Sequence, residues 1–312
     1  MGPRRPPART VRALLEDGIR EFERAGIAYG HGTANALDEA AWLILRSLGL
    51  PPHDLAAHLD RPLSRDEHEA AKALLARRVA TRKPAAYLLH EAWLGPHRFH
   101  VDERVIVPRS FIAELLLAKK GSDTFSPRRP HERAMSGKRY LTPFSPRSIL
   151  DLCTGSGCLA ILAALRYPEA RVDAADLSAD ALEVAKRNVA DYGLGERIRL
   201  VRSDLFSALR GRRYDLIVSN PPYVKAASMR ALPAEFRKEP RMALASGTDG
   251  LDHTRAILAG ARAHLRPGGR LVVEIGHNRK AFEKAFPALD PDWPRTSGGR
   301  GFVLSVPMER LP

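Results

Sequence analysis

The chain has 312 residues, 44% of them hydrophobic, and a formal net charge of +14. That length suits about two domains, and no apolar run reaches the ~18–20 residues of a membrane-spanning helix. The charge points to a polyanionic partner, or to one embedded in a polyanion, such as DNA, RNA or the ribosome; an inert arginine-rich surface is the plainer alternative, because the excess is spread along the chain.

The opening Met1-Gly2-Pro3-Arg4-Arg5 has no apolar core of the kind a secretory signal carries, and Pro6 spoils a myristoylation match. Cys153 and Cys158 flank a glycine loop and are too few for a disulfide framework or a metal site. A cytoplasmic protein with no resident metal is expected.

Residues 1–8 are Pro- and Arg-rich and read as disordered. From Thr10, Val11, Leu14, Leu15, Ile19 and Phe22 recur at helical spacing and predict a helix to about Ala25. The turn Tyr29-Gly30-His31-Gly32-Thr33 follows, then a helix over Asp38–Leu48 that stops at Pro51-Pro52. A third helix is predicted over about Ser64–Thr81, with Ser64 as its N-cap. Residues 1–90 thus form a small helical domain suited to substrate recognition or to acting as a lid. Between Pro84 and Pro108 the period changes to two, around Trp93, Gly95-Pro96, Phe99, Val101 and Val105-Ile106-Val107, which predicts a β-hairpin. Pro108-Arg109-Ser110 opens a short helix, Phe111–Lys119. Residues 121–147 are irregular, basic and proline-rich and read as a mobile linker, so that 91–147 form a connector.

From Ser148 to residue 312, short apolar runs alternate with helical stretches. Strands are predicted at Ile149–Leu152, Val172–Ala175, Ile198–Val201, Leu216–Val218 and Leu271–Ile275, the last after the turn Arg266-Pro267-Gly268-Gly269. Helices are predicted at about Cys158–Arg166, Ala179–Tyr192 and Leu251–His264. This alternation implies an α/β domain with a doubly wound, mostly parallel sheet. A helix near Asn278–Phe286 and a strand Phe302–Val306 close the chain. The cluster Gly298-Gly299-Arg300-Gly301 suggests a hairpin that makes the last strand antiparallel.

The first strand runs into Asp151-Leu152-Cys153-Thr154-Gly155-Ser156-Gly157 and a helix. Gly155 and Gly157 let a ligand approach the backbone beside a helix N-terminus. The pattern also fits a dinucleotide fingerprint, so alone it does not separate NAD from S-adenosylmethionine. Three acidic strand ends shift the balance. Asp151 suits a cationic amino-acid head, and Asp176 is placed for ribose hydroxyls. Asp204 can accept from an adenine amino group, with Leu205 against the ring. Together they fit a cationic, adenosine-bearing ligand.

The fourth strand ends in Ser219-Asn220-Pro221-Pro222-Tyr223. The prolines fix their own φ, lack N–H groups and hold Asn220 extended. This stiff corner presents an amide side chain and bare carbonyl oxygens that can accept both hydrogens of a planar amino group. In a doubly wound sheet the corner falls at the topological switch point, next to the methyl of such a ligand. The histidines, among them His31 and His253, show no metal-ligand spacing and read as surface or packing residues.

On Asn220-Pro221-Pro222-Tyr223 and the Asp151–Gly157 loop, the chain resembles the protein-(glutamine-N(5)) methyltransferases of the HemK/PrmB type. It is most similar to the PrmB branch through Tyr29–Thr33 with Asp38-Glu39-Ala40, Val101–Ser110 and Glu239-Pro240 through Leu251. The resemblance spans nearly the whole chain outside the extreme N-terminus and 121–147; Cys153 departs from it, standing where many relatives have glycine. It implies a class I, Rossmann-like methyltransferase with a seven-stranded sheet and S-adenosylmethionine as cofactor. The implied substrate is a glutamine of the third protein of the large ribosomal subunit, either free or met within an assembly intermediate with RNA contact. Asn220, with the Pro221 carbonyl, would accept the amide hydrogens, Tyr223 would stack on the amide plane, and Thr154 belongs to the cofactor loop. Glu239-Pro240 would shape the loop over the site. The competing readings are the Gly-Gly-Gln glutamine of release factors, an adenine-N6 nucleic-acid methyltransferase, and an assembly factor that binds the cofactor without turnover.

Overall fold

The computed structural model describes residues 9–118 and 144–312. The expected disorder of residues 1–8 and the linker up to residue 143 lie outside the described residues. Five helices come first: α1 (Val11–Arg24), α2 (Ala36–Ser47), α3 (Leu55–His58), α4 (Arg65–Thr81) and α5 (Ala85–Leu89). Their starts are chemically marked. Thr10, Asn35 and Ser64 each accept a hydrogen bond from a first-turn backbone N–H, and Ser64 forms a reciprocal capping box with Glu67, satisfying donors that a helix start leaves unpaired. Leu14, Phe22, Leu43, Ile44 and Leu75 are buried where these helices meet.

The connector shares itself between two cores. A hairpin forms at β1 (Ala92–Leu94) and β2 (His97–Phe99), and only there. Residues 85–89 are helical instead, and Val101, Val105 and Val107 bury into the helical unit without joining a ladder. The period-two pattern at 101–107 therefore reports alternating burial in a loop. Asp102 turns that loop by accepting from Val105 N, while Tyr87 Oη donates to the Val105 carbonyl at 2.5 Å. Leu94 and Phe99 face the other way, with α6 (Phe111–Leu117), into the core under the main sheet.

The second unit runs β3 (Ser148–Leu152), α7 (Cys158–Arg166), β4 (Arg171–Asp176), α8 (Ala179–Asp191), β5 (Ile198–Arg202), β6 (Tyr214–Ser219), α9 (Ala226–Ala231), α10 (Asp252–His264), β7 (Leu265–Glu274) and α11 (Arg279–Ala285). A small ladder of β8 (Arg295–Thr296) and β9 (Gly299–Arg300) precedes β10 (Val303–Pro307). The sheet order is β10-β7-β6-β3-β4-β5, all parallel except β10, which is antiparallel to β7. Helices cover both faces, with α6 and α7 against one and α10 and α11 against the other. This is the doubly wound class I architecture.

Two details differ from expectation. The continuous sheet has six strands rather than seven. The edge beside β10 is reduced to one bridge, Asp292 with Ser305, each donating its N–H to the other's carbonyl at 2.9 Å. Pro291 and Pro294 flank Asp292 and have no N–H to extend the ladder. The Arg266–Gly269 turn is absorbed into β7 as an irregularity in its pairing with β6. No described helix is long and apolar enough to cross a membrane.

Candidate active site

Successive strands after β3 step outwards through β4 to β5, and the chain then returns to place β6 on the other side of β3. The carboxyl ends of these strands therefore bound a crevice at the switch point, where open α/β sheets take their ligands. Ser219 Oγ donates to the Leu152 carbonyl at 2.8 Å and ties the two strand ends together.

A cleft opens there, lined by Gly155, Asp176, Asp204, Leu205, Asn220 and Pro222 from the expected set. Ile106 of the connector, Leu177 after β4 and Met242 complete apolar walls. Asp176 accepts from Gly155 N at 2.8 Å and Ser178 N at 2.9 Å, and burial raises its pKa. Asp204 is exposed at the rim. Leu205 holds a left-handed φ of 45°, while its carbonyl accepts from Ser203 Oγ at 2.7 Å; this unusual backbone is kept at the cleft wall.

The remaining cofactor-loop residues lie behind that wall. Asp151 is fully buried and accepts from Thr154 Oγ1 at 2.5 Å and Ala160 N at 3.0 Å. Its Oδ1 is buried with no hydrogen-bond partner among the described residues. Gly157 (φ +79°) begins α7 where an added Cβ would approach Ala185 Cβ to 3.1 Å, so its place is helix packing. Gly155 (φ +55°) would meet nothing within 4 Å and stays open to the cleft.

Cys153 carries a φ of 58°, the left-handed region that favours glycine. It is the conformation that the glycine expected there by resemblance would adopt without strain. Its thiol lines the cleft, and burial raises its pKa so that it stays protonated and unreactive. Cys153→Gly relieves ~1–2 kcal/mol of left-handed strain against roughly 0.5–1 kcal/mol of added chain entropy. Differential scanning calorimetry should show a Tm unchanged or a few degrees higher; a drop of several degrees would contradict this account.

Does the cleft fit S-adenosylmethionine? Its described charged lining is Asp176, Asp204 and Arg104, and Arg104 already forks onto Asp102 at 2.9 and 2.7 Å. Beneath lies Asp151, whose carboxyl is raised to about 7, first by burial and further by the neighbouring Asp176 charge. Such a set of acceptors suits a cationic ligand with hydroxyls and an amino group, and disfavours a pyrophosphate. A nearby cation stabilises ionised Asp151, so S-adenosylmethionine affinity should rise between pH 6 and 8. Asp151→Asn should flatten that rise and weaken binding about tenfold at pH 8, ~1.4 kcal/mol, by isothermal titration; an unchanged pH profile would remove Asp151 from the account.

Asn220 stands between two spaces. On one side is the cleft; on the other is a second cavity lined by Arg109, Pro221, Tyr223, Val224, Phe236 and Leu244 among others. Asn220, Ile106 and Ala243 line both. Asn220 Oδ1 is buried and has no hydrogen-bond partner among the described residues. The corner is held from outside. Val224 N donates to the Leu244 carbonyl at 2.8 Å, Ser246 N to the Val224 carbonyl at 2.9 Å, and Asn278 Nδ2 to the Tyr223 carbonyl at 2.7 Å. Gly250 passes so close that a Cβ there would lie 2.4 Å from that same carbonyl. This geometry accounts for the 239–251 stretch as the brace of the corner.

Three residues gain a place that sequence reasoning did not assign. Glu274, at the end of β7, is buried, accepts from Tyr223 Oη at 3.2 Å, Ser110 Oγ at 2.7 Å and Phe111 N at 2.9 Å, and is raised to about 7, chiefly by burial. The acidic residue after the apolar run Leu271-Val272-Val273 was the available signal. Arg109 donates both Nη atoms to Glu239 at 2.6 Å while lining the second cavity. His31 is buried, packs its ring at a tilt against Phe236 with centroids 4.2 Å apart and reaches Glu239 at 3.5 Å. Burial opposes ionisation of Glu239, yet His31 and Arg109 hold its carboxyl down at about 2. Thus the 29–33 turn and the 239–251 stretch, far apart in sequence, meet at the His31–Glu239 contact, behind Arg109 and Phe236 of the second cavity.

The sequence matches two families: that described as a methyltransferase small domain, over residues 139–249, and that described as a PrmC N-terminal domain, over 13–89. Among similar proteins are three named ribosomal protein uL3 glutamine methyltransferase. That of Neisseria meningitidis serogroup B is 52% identical over 97% of this chain and 94% of its own. That of Burkholderia pseudomallei is 50% identical over 98% and 97%, and that of Bordetella pertussis 49% over 98% and 98%. With such identity along nearly its whole length, this chain belongs to the family of ribosomal protein uL3 glutamine methyltransferases.

Proposed function

We propose that this enzyme methylates the side-chain amide nitrogen of one glutamine in ribosomal protein uL3, with S-adenosylmethionine as methyl donor. The observation that carries the reading is Asn220, an unpartnered buried amide oxygen on the wall shared by the cofactor cleft and the second cavity. S-adenosylmethionine, bound in the cleft, supplies a methyl group on a positively charged sulfur.

A carboxamide nitrogen is a poor nucleophile because its lone pair is delocalised into the carbonyl, as the ~18–20 kcal/mol amide rotation barrier reflects. Asn220 Oδ1 and the Pro221 carbonyl accept the two amide hydrogens and return electron density to nitrogen, which gives up one of those hydrogens as a proton to water once it carries the methyl. Tyr223, anchored by Glu274, borders the amide. Holding nitrogen in line with the methyl supplies up to ~7–11 kcal/mol of barrier reduction, and the fixed dipoles add to it. Asp176 and Asp204 would hold the ribose and adenine, Leu205 the ring face, and the loop of Thr154, Gly155 and Gly157 over Asp151 the amino-acid end.

In this reading residues 1–90 recognise the substrate, 91–147 connect, and 148–312 carry out the transfer. The reaction takes place in the cytoplasm, and the +14 charge suits work beside ribosomal RNA on an assembling particle. Mass spectrometry of ribosomes and release factors from a deletion strain tests the assignment. Loss of one methyl from uL3 with release factors still methylated is expected; the converse pattern would overturn it.

A further inference from the structure

Between Lys225 and Arg241 the chain carries five cations, Lys225, Arg230, Arg237, Lys238 and Arg241, and two carboxylates, Glu235 and Glu239. Both carboxylates face inward, at 1% and 4% exposure. Glu235 lies 3.2 Å from Arg82 and 3.7 Å from Arg78, and Glu239 is held by Arg109 and His31. Arg230, Arg237, Lys238 and Arg241 are exposed and have no acidic partner among the described residues. The acids of this segment are spent on attachment to the helical unit and connector, which leaves its outer face cationic.

That face borders the substrate entrance. Arg230, Arg237 and Arg241 line a third cavity together with Phe236 and Leu244, its one acid among the described residues being Glu239, which is buried and paired with Arg109; Phe236 and Leu244 also line the cavity beside Asn220. We propose that this rim binds RNA phosphates next to the target glutamine, so that the preferred substrate is uL3 already seated on ribosomal RNA.

The inference rests on the uL3 reading and follows from charge. A protein that neutralises RNA is itself cationic, and a cationic rim repels it when it is free. Phosphates flanking the glutamine turn that repulsion into attraction. Three of the cations are arginines, whose planar forks match phosphate oxygens. Phe236, the aromatic residue among them, is engaged with His31 and Arg109 rather than offered to bases. Contact therefore falls on the backbone, independent of sequence and sensitive to salt.

The test uses the full chain and the variant R237E/K238E/R241E. By fluorescence anisotropy with a labelled 30-nucleotide RNA hairpin, wild type should bind with a log–log salt slope of about −2 to −3, as expected for three to four phosphate contacts. The variant should bind about 30-fold more weakly with a shallower slope, while its Tm and S-adenosylmethionine affinity stay at wild-type values. Tritiated methyl transfer should show kcat/KM at least about tenfold higher for uL3 on large-subunit RNA than for free uL3, and parity in the variant. Equal RNA binding by variant and wild type would overturn the proposal. So would faster methylation of free uL3, or an equal loss on both substrates, which would mean that the rim contacts an acidic stretch of uL3. Failure of wild type to methylate uL3 in any form would instead count against the substrate reading, leaving the hairpin measurement to decide the rim.

Discussion

Asn220→Ala is expected to lower kcat for glutamine methylation by about 10²–10³-fold, the usual effect of removing one preorganised polar group at a reacting centre, while S-adenosylmethionine affinity stays within about threefold. The structure makes this a clean substitution. Asn220 Oδ1 has no hydrogen-bond partner among the described residues, so alanine leaves no donor of the fold unpaired, and stability should change by less than ~1 kcal/mol. Alanine before Pro221 is also free to keep the extended backbone. Asn220→Asp and Asn220→Leu separate two explanations. Asp keeps an acceptor oxygen for the amide hydrogens whereas Leu keeps similar bulk without one, so if acceptance is the role the leucine variant should fall with alanine and the aspartate variant should fall less. If Asn220 merely shaped the wall, the leucine variant would keep most of the wild-type kcat. Single-turnover transfer of a tritiated methyl reads the chemical step, and calorimetric titration reads the cofactor. A loss under tenfold, or one confined to cofactor binding, would sink the assignment.

Much of the fold was legible because strand and helix ends carry local chemistry. Thr10, Ser64 and Ser178 cap the helices they precede, and the buried strands are short apolar runs. The Asn220 corner was legible for the same reason, since two prolines act on their immediate neighbours. What could not be read was long-range. Asp151, Asp176 and Asp204 look equivalent as acidic strand ends, yet Asp151 is enclosed under its own loop whereas Asp176 and Asp204 reach the cleft. Asp151 pairs inside the ladder opposite Val218 and Ala174, and no local pattern tells a last paired residue from the one after it. Arg109 and Glu239 are 130 positions apart, and neither carries a periodic signal. Val101–Val107 misled because alternating burial in a loop imitates a strand. The positive φ of Cys153 became visible as a local consequence only once the turn was drawn.

Glu239→Ala should destabilise the protein by about 3–5 kcal/mol, the range for leaving a buried partner charge uncompensated, and lower Tm by on the order of 10 °C. The carboxylate accepts from Arg109 twice at 2.6 Å and from Val107 N at 2.9 Å, with His31 at 3.5 Å, and is 4% exposed. Removing it strands the Arg109 charge and an amide N–H, and frees the segment bearing Phe236 from the helical unit. Because Arg109 and Phe236 line the cavity beside Asn220, substrate KM should rise more than kcat falls.

The pH dependence gives a second handle on the same residue. Glu239 is depressed from an ordinary 4.5 to about 2, so its contribution, about 3 kcal/mol by linkage, is complete above pH 4.5 and is lost as pH falls towards 2. Glu274 and Asp151 act in the opposite sense. Raised to about 7, they favour the fold below their unfolded values, and that advantage is lost as pH climbs through 7. The gain from Glu239 and the loss from Glu274 and Asp151 cross where the unfolded carboxyls titrate, so chemical denaturation across pH 3–8 should show wild type most stable near pH 4. Glu239→Gln should lower the curve while flattening its acid side, because the group that titrates there is gone, and leave unchanged the decline that Glu274 and Asp151 cause between about pH 4 and pH 7. An acid limb of wild-type steepness in that variant would mean that other carboxylates govern it and that Glu239 is not the clasp between the helical unit and the substrate cavity.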